Sequence, residues 1–304
     1  MVGPGAPDDA DISVGPHGEV ELLLRYRPPY DWPAMLEFLR RRAIPGIERV
    51  TAGLYVRSVQ FDGVQGTVAV QATDEDALRA TLRFPNLSAL PVVIARLRRV
   101  FDLAIDPAIV ASHLAKDPVL AALVQARPGL RVPGAWDGFE LAIRAVLGQQ
   151  ITVAAAVRLA GRLVAAYGLP MTRPDGDLTH VFPEPEALVE ADLASLGMPR
   201  SRAAALSAVA TAVMSDTHLF DAGRGLDEAV RRLRLIRGVG EWTAQYIALR
   251  QLREADAFPA SDIVLLRVMA RQEGRDYSSS ELIQRAQTWR PWRAYAAQHL
   301  WASA

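Results

Sequence analysis

The segment that decides the fold class is LRLIRGVGEWTAQYIALR, residues 233–250 of a 304-residue chain. It predicts a helix that ends at Ile236, a Gly-Val-Gly turn, and a second helix that begins at Glu241. Gly238 and Gly240 would allow positive φ angles and the close approach of another backbone. The N–H groups exposed at the start of the second helix can hold a phosphate oxygen. A plain glycine turn between two helices is the other interpretation, because short glycine patterns are weak evidence alone.

The region around this hairpin has the periodicity of helices. Asp137 and Glu140 form a capping-box pattern that opens a long apolar helix. Residues 168–185, rich in Pro, Gly and Asp, are predicted to be a loop. Further helices are predicted at 152–167, 185–196, 199–214, 226–235, 241–252, 262–272, 279–288 and 291–302. Residues 106–304 are therefore expected to form an all-α region with short connections.

The region before residue 106 mixes strand and helix patterns. A strand is predicted at 19–27, and a helix follows Asp31, with Pro33 in its first turn. Three β-like runs come next: LYVRSVQF, GTVAVQA and ALRATLRF. A helix is then predicted at 88–103. Residues 19–105 are thus expected to be a small α+β domain, preceded by a flexible tail at 1–18.

The composition excludes several classes of protein. Half of the residues are hydrophobic and 22% are charged, so a packed core is expected and wholesale disorder is not. The 34 basic and 34 acidic side chains balance, which argues neither for nor against nucleic-acid binding. The absence of cysteine excludes disulfides, thiolate nucleophiles and zinc–thiolate sites. The five histidines have no metal-ligand spacing, and no apolar stretch is long enough to predict a membrane span.

Asp262 lies in the segment DAFPASDIVLLRVM, directly before an apolar helix. The simplest interpretation is a helix N-cap, a role that Ser261 would fill equally well. The alternative is catalytic, because a carboxylate at a helix start can face a cleft, stabilise a developing cation or orient a water.

The aromatic and basic residues also admit two interpretations. Trp242 and Tyr246 are four residues apart and share a helix face, where they could be core or could stack on a flat ligand. Basic residues beside the hairpin, from 231 to 237, are placed for phosphate contact. The clusters at 40–42 and 96–99 are expected to be solvated helix faces.

Together these segments resemble the helix-hairpin-helix DNA glycosylase superfamily, and within it the 3-methyladenine DNA glycosylase II (AlkA) type. Six blocks carry the resemblance in order, from about Glu21 to Trp301. They are YRPPYDWPAMLEFL, RPGLRVPGAWDGFELAIRAVLGQQITVAAA, LGMPRSRAAAL, LIRGVGEWTAQYIALR, FPASDIVLLR and WRPWRAYAAQHLW. The resemblance implies an α+β fold: a small antiparallel-sheet domain like half of a TATA-binding protein, then two helical domains that frame a cleft.

The resemblance also implies a reaction and a site. The reaction is base-excision repair by a monofunctional glycosylase, which flips an alkylated purine of the 3-methyladenine or 7-methylguanine type out of duplex DNA and hydrolyses its N-glycosidic bond. Asp262 is implied as the catalytic carboxylate that stabilises an oxocarbenium-like sugar and orients water. The residues implied to line the base pocket are Phe38, Trp242, Tyr246 and Trp301.

Further positions are implied to hold DNA or an ion. Gln150 replaces the family's usual leucine wedge, and a glutamine can still fill the gap that a flipped base leaves. Ile263 replaces the aromatic residue that can follow the catalytic aspartate. The other implied DNA contacts are Gly238, Gly240 and Thr243. No cofactor is implied beyond a possible Na or K ion in the hairpin, held by the backbone carbonyls of Arg234, Ile236 and Val239.

The remaining expectations concern partners and rivals. The partner is expected to be double-stranded DNA with alkylated bases, with no membrane involved, and the protein is expected to act as a cytoplasmic monomer on bacterial DNA. A non-catalytic helix-hairpin-helix DNA-binding protein is one alternative, and it has no need of Asp262. An oxidised-base glycosylase with lyase activity is another. It needs a lysine two residues after the second hairpin glycine, where this chain has Trp242.

Overall fold

The computed structural model describes residues 10–15, 19–85 and 87–304, and over these it has eight strands and thirteen α-helices. A six-stranded sheet lies in the first part of the chain and helices dominate the rest, so the expected fold class is confirmed. No α-helix within the described ranges is both long and apolar enough to cross a membrane.

The large sheet is antiparallel at every pairing, with strand order β1-β2-β6-β5-β4-β3. Its strands are β1 Ala10–Val14, β2 Val20–Arg25, β3 Glu48–Thr51, β4 Leu54–Phe61, β5 Val64–Ala72 and β6 Ala77–Arg83. Side chains alternate between the two faces of a strand, so Leu22 and Leu24 of β2 are buried together. They share one apolar core with Val68 of β5, Met35 of the first helix and Leu97 of the second.

The expectation of a flexible tail over residues 1–18 is wrong where the structure describes that segment. Ala10–Val14 form an edge strand, and Ile12 pairs with Leu22 of β2. Most of this strand is exposed, so it is held by backbone hydrogen bonds to the sheet rather than by an apolar face. Because its side chains do not alternate between buried and exposed, the sequence has no pattern that predicts this strand. Residues 1–9 and 16–18, also part of the expected tail, lie outside the described residues.

The helices follow the predicted order closely. Their bounds are α1 Trp32–Arg42, α2 Leu90–Val100, α3 Pro107–Leu114, α4 Pro118–Ala126, α5 Gly138–Leu147, α6 Val153–Tyr167, α7 Glu186–Val189, α8 Arg200–Ser215, α9 Leu226–Leu233, α10 Glu241–Arg250, α11 Ile263–Glu273, α12 Ser279–Arg285 and α13 Arg293–Ala302. Helix α5 packs against α8 and α10 and carries nine buried residues in ten, which makes it the centre of the helical core.

The predicted capping box at the start of α5 is only half formed. The Asp137 side chain accepts a hydrogen bond from the Glu140 backbone N–H at 3.1 Å, as the pattern predicts. The Glu140 side chain does not reach back to the cap. It is buried and accepts hydrogen bonds from Arg57 of β4, at 2.8 Å, and from Arg144. A buried carboxylate is stabilised far more by two guanidinium groups than by one backbone N–H, so the long-range partners win.

The loop expected at 168–185 contains a two-stranded hairpin, β7 Leu169–Asp175 and β8 Leu178–Val181. Met171, Leu178 and Val181 pack on Val56 of the large sheet and form a small third core. Arg49 of β3 donates a hydrogen bond to the Asp177 carboxylate at 2.7 Å. The hairpin is therefore stabilised by tertiary docking, whereas its Pro and Gly content alone predicts a loop.

Candidate active site

Asp262 is the N-cap of α11. Its Oδ1 accepts hydrogen bonds from the backbone N–H groups of Val264, at 2.9 Å, and Leu265, at 3.2 Å. The same half-buried carboxylate accepts two indole N–H groups. Trp242 Nε1 donates to Oδ2 at 2.8 Å, and Trp301 Nε1 donates to Oδ1 at 3.2 Å. The cap interpretation is therefore confirmed, and the same carboxylate also contacts the aromatic cluster.

The structure brings the predicted pocket aromatics together. Trp242 and Tyr246 lie one turn apart on α10, with ring planes 11° apart and centroids 5.1 Å apart. Trp301 of α13 meets the Tyr246 ring edge-on at 6.4 Å. Phe38 of α1 joins them through the Arg250 guanidinium, which lies 4.6 Å from the Phe38 ring and 5.2 Å from each of the Tyr246 and Trp301 rings.

Trp289 and Tyr295, also near the C-terminus, lie in the core. The Trp289 indole N–H is buried and donates to the Asp117 carboxylate at 2.8 Å. The Tyr295 hydroxyl bonds to both carboxylate oxygens of Asp102 at 3.1 Å. Their partners are far from Asp262 in the chain, and neither residue is part of the aromatic site.

Two arginines in the site were missed or misread from the sequence. Arg250 is buried and donates to the Pro133 carbonyl at 2.8 Å. The Arg42 guanidinium lies 4.0 Å from the Phe38 ring, so the expectation that residues 40–42 form a solvated face is wrong for this residue. Each arginine lies four residues after a pocket aromatic, Tyr246 or Phe38. That spacing on one helix face was the available signal.

These arginines set the charge of the site. Burial lowers the pKa of Arg250 to about 10, which still leaves it charged at neutral pH. Burial also acts to raise the pKa of the Tyr246 hydroxyl, but the positive charges of Arg250 and Arg42 outweigh it and lower that pKa. Positive charge therefore lies against the Phe38, Tyr246 and Trp301 rings, and the negative Asp262 carboxylate lies between the two indoles.

The hairpin connects α9 to α10, as predicted, but its two glycines differ. Gly238 has φ +85°, and a Cβ there would lie 2.3 Å from the Ala205 Cβ of α8. Gly240 has φ −88°, so the expectation of a positive φ is wrong there, and a Cβ would meet open space. Gly240 is the N-cap of α10 and has no side chain to accept a hydrogen bond. The first backbone N–H groups of the helix are therefore not capped by a side chain.

Gln149, which the sequence did not point to, links the α5–α6 turn to the hairpin by hydrogen bonds. Its Nε2 donates to the Gly238 carbonyl at 3.0 Å and to the Thr243 hydroxyl at 2.9 Å. Thr243 is only 2% exposed, so its hydroxyl is bonded inside the protein rather than presented on the surface. The adjacent Gln150 is exposed and has φ +57°, a left-handed conformation that is uncommon outside glycine.

The carbonyls predicted to hold a cation lie in the turn between α9 and α10. The Ile236 carbonyl accepts the Val239 N–H at 3.0 Å, which leaves one oxygen lone pair free. Arg234 pairs with Glu241 across the turn at 3.1 Å. Within the described residues, no group of three or more His, Cys, Asp or Glu side chains could hold a metal ion.

Comparison with known proteins places this geometry in a family. Residues 21–137 match the AlkA N-terminal domain, and residues 143–294 match the HhH-GPD superfamily base excision DNA repair protein family. DNA-3-methyladenine glycosylase 2 of Escherichia coli is 37% identical, over 91% of this chain and 95% of its own length. A probable bifunctional transcriptional activator/DNA repair enzyme AlkA of Mycobacterium tuberculosis is 39% identical, over 94% of this chain. The chain spans only 57% of that relative's length.

Solved structures agree on the fold. The 3-methyladenine DNA-glycosylase of Archaeoglobus fulgidus superposes with a TM-score of 0.79 at 22% identity, over 92% of this chain and 96% of its own. An 8-oxoguanine glycosylase/lyase of Clostridium acetobutylicum superposes with a TM-score of 0.74 at 18% identity, over 98% and 99% of the two chains.

Proposed function

The chain belongs to the HhH-GPD superfamily of base excision DNA repair proteins, and from that premise we propose that it is a DNA glycosylase that excises alkylated purines. The observation that carries the proposal is the contact between Asp262 and the aromatic site. A carboxylate 2.8 Å from the indole nitrogen of a stacked Trp242–Tyr246 pair brings a negative charge beside a surface suited to a flat base.

The reaction begins with binding of the base. An alkylated purine flipped out of the duplex stacks on the exposed parts of the Trp242, Tyr246 and Trp301 rings. Stacking contributes roughly 1–3 kcal/mol per base and does not depend on the base's edges, which suits a site for several lesions. N3- or N7-alkylation makes a purine cationic, so it leaves without strong protonation by the enzyme.

Asp262 stabilises the sugar as the glycosidic bond breaks. The sugar then has oxocarbenium character, and a fixed carboxylate offsets the developing positive charge. Water adds to the sugar carbon from the face opposite the departing base and loses a proton to solvent. The products are the neutral free base and an abasic site. Helix α11 holds the carboxylate in place through the Val264 and Leu265 N–H groups before substrate arrives.

The DNA backbone is held by the hairpin. The uncapped N–H groups at the start of α10 bind a phosphate oxygen beside Gly240, where the open space leaves room for the strand. For Thr243 this contact runs through its backbone N–H, because its side chain is bonded to Gln149. Gln150 fills the gap left by the flipped base, and its exposed, left-handed position at the tip of the α5–α6 turn supports that role.

A monovalent cation fits the turn of the hairpin. The carbonyl oxygens of Arg234, Ile236 and Val239 are of the type that hard cations take as ligands, and the Ile236 carbonyl keeps a free lone pair. The ion would supply positive charge beside the bound phosphate. The DNA substrate places the enzyme on the nucleoid, and one copy of the chain holds every group that the reaction uses.

The enzyme is monofunctional. Trp242 occupies the position where a lyase carries its Schiff-base lysine, and its indole N–H donates a hydrogen bond to Asp262. An indole N–H has no nucleophilic amine to attack the sugar. The strand is therefore left intact at the abasic site.

The proposal is tested by incubating the protein with duplex DNA treated with a methylating agent and identifying the released bases by chromatography. We expect 3-methyladenine and 7-methylguanine to be released, with no cleavage of the strand before alkali treatment. Binding of the duplex with no base released would instead support a non-catalytic DNA-binding protein. Release of oxidised bases alone would support the oxidised-base alternative.

A further inference from the structure

We propose that the indole N–H groups of Trp242 and Trp301 position the Asp262 carboxylate, so that each tryptophan serves the reaction through its N–H as well as its ring. The inference rests on the proposed function. It assigns the two tryptophans a positioning role that stacking on a base does not require.

The hydrogen bonds to the carboxylate are distributed unequally between its two oxygens. Oδ1 accepts three N–H groups: those of Val264 at 2.9 Å, Leu265 at 3.2 Å and the Trp301 indole at 3.2 Å. Oδ2 accepts the Trp242 indole N–H at 2.8 Å. A carboxylate oxygen has two lone pairs, so Oδ1 is saturated by donors whereas Oδ2 retains a lone pair. Oδ1 anchors the group to the fold, and Oδ2 is the oxygen that faces the reaction.

This distribution determines what the carboxylate does. Hydrogen bonds to a charged acceptor are stronger than bonds between neutral groups. The four bonds therefore hold the carboxylate in one orientation, in which its charge can stabilise the cationic sugar. The orientation of Oδ2 is controlled by Trp242, on a different helix from the backbone groups that hold Oδ1.

The two tryptophans consequently differ in importance. Removal of the Trp301 N–H leaves Oδ1 with two backbone donors, so the carboxylate stays in place. Among the described residues, the Trp242 N–H is the one donor to Oδ2, at 2.8 Å. Its removal leaves Oδ2 with no hydrogen bond from these residues. The carboxylate can then rotate about its anchored oxygen, and the negative charge is no longer fixed towards the sugar.

The test uses 3-benzothienylalanine, an analogue of tryptophan that keeps the bicyclic ring and replaces the N–H by sulfur. It is introduced by nonsense suppression at position 242 or 301, and separately at position 289 as a matched control. The Trp289 indole N–H also donates to an aspartate Oδ2 at 2.8 Å, but that aspartate is Asp117 in the core. The rate of release of 7-methylguanine is measured in single turnover with the enzyme in excess. Affinity for an abasic-site duplex and the urea midpoint are measured in parallel.

We expect Trp242→3-benzothienylalanine to slow base release roughly tenfold to a hundredfold, the range for a lost hydrogen bond to a charged group. Its affinity for the abasic-site duplex should be unchanged, so that the loss is confined to the rate of base release. Trp301→3-benzothienylalanine should slow release only a few-fold. Trp289→3-benzothienylalanine should lower the urea midpoint and leave the rate unchanged.

The outcomes separate this inference from the proposed function. If the wild type excises 7-methylguanine and the analogue at 242 does so at the same rate, the positioning role is wrong and the proposed function stands. An equal loss of rate at 242 and 289 would also overturn the inference, since it would reflect general destabilisation. If the wild type releases no base from any alkylated duplex, the proposed function fails and the inference fails with it.

Discussion

The unequal roles of the two hairpin glycines lead to a prediction about single methyl groups. Gly238→Ala and Gly240→Ala add the same atom two residues apart. At Gly238 the backbone is left-handed, with φ +85°, and the new Cβ would lie 2.3 Å from the Ala205 Cβ. At Gly240 the backbone has φ −88° and the new Cβ meets open space. The hairpin should therefore tolerate one alanine and not the other.

The expected magnitudes follow from these two contacts. A left-handed conformation costs a residue with a Cβ about 1–2 kcal/mol relative to glycine. Overpacking a close core contact costs about 1–3 kcal/mol. Gly238→Ala should thus lower the free energy of unfolding by about 2–5 kcal/mol. Gly240→Ala should change it by less than about 1 kcal/mol, since neither cost applies there.

Urea unfolding followed by circular dichroism measures both effects. The double variant Gly238→Ala/Ala205→Gly removes the methyl group that the new Cβ meets, and it should recover stability beyond the sum of the two single changes. The double variant should still be less stable than the wild type, because alanine at position 238 keeps the cost of a left-handed φ. Equal stability of the two single alanine variants, or no coupling between positions 238 and 205, would refute the reasoning.

Binding completes the comparison, because Gly240 is expected to face DNA. Gly240→Leu should keep the wild-type urea midpoint and weaken binding to undamaged, lesion-bearing and abasic duplexes by a similar factor, since phosphate contacts carry no sequence information. Fluorescence anisotropy with the three duplexes checks this. A loss confined to one duplex would place Gly240 in lesion recognition instead of backbone binding.

The remaining predictions concern acid stability and strand cleavage. Burial acts against the charge of Glu140, but Arg57 and Arg144 outweigh it and lower its pKa to about 2 from 4.5. Its contribution to stability is therefore full above about pH 4.5 and is lost as the pH falls towards 2, and Glu140→Gln should flatten that part of a profile of urea midpoint against pH. Burial lowers the pKa of His299 to about 4 from 6.5, so about 3 kcal/mol of stability should be lost as the pH falls between those values, and His299→Gln should remove this slope. Borohydride added during turnover should trap no protein–DNA adduct, and efficient trapping with strand scission would contradict the monofunctional assignment of Trp242.

Local spacing predicted much of the site. The hairpin segment gave the end of one helix and the start of the next within a few residues, because glycine and helix-start signals are local. The four-residue spacing of Trp242 and Tyr246 predicted a shared face, and the rings are stacked. Asp262 was predicted both as a cap and as a candidate carboxylate, and its cap bonds are present.

Contacts between distant segments could not be predicted in the same way. Glu140 follows the capping-box spacing, yet its side chain bonds to Arg57, 83 residues earlier in the chain. Gln149 fastens to Thr243 across 94 residues. The hairpin of β7 and β8 forms because it docks on the large sheet, and its turn-rich sequence alone does not predict this docking. In each case the local structure is stabilised by a partner that is distant in the sequence and comes close only in the folded chain.

The most direct test of the account is the single-turnover rate of 7-methylguanine release by Asp262→Asn, measured with DNA affinity on the same abasic duplex. Asparagine keeps the size and an acceptor oxygen for the cap, but it removes the negative charge. Loss of a fixed charge in such a site costs about 3–4 kcal/mol in the barrier, so the rate should fall by roughly two to three orders of magnitude. DNA affinity should stay within a few-fold of wild type. Near-wild-type release by this variant would contradict the assignment of Asp262 and with it the proposed mechanism.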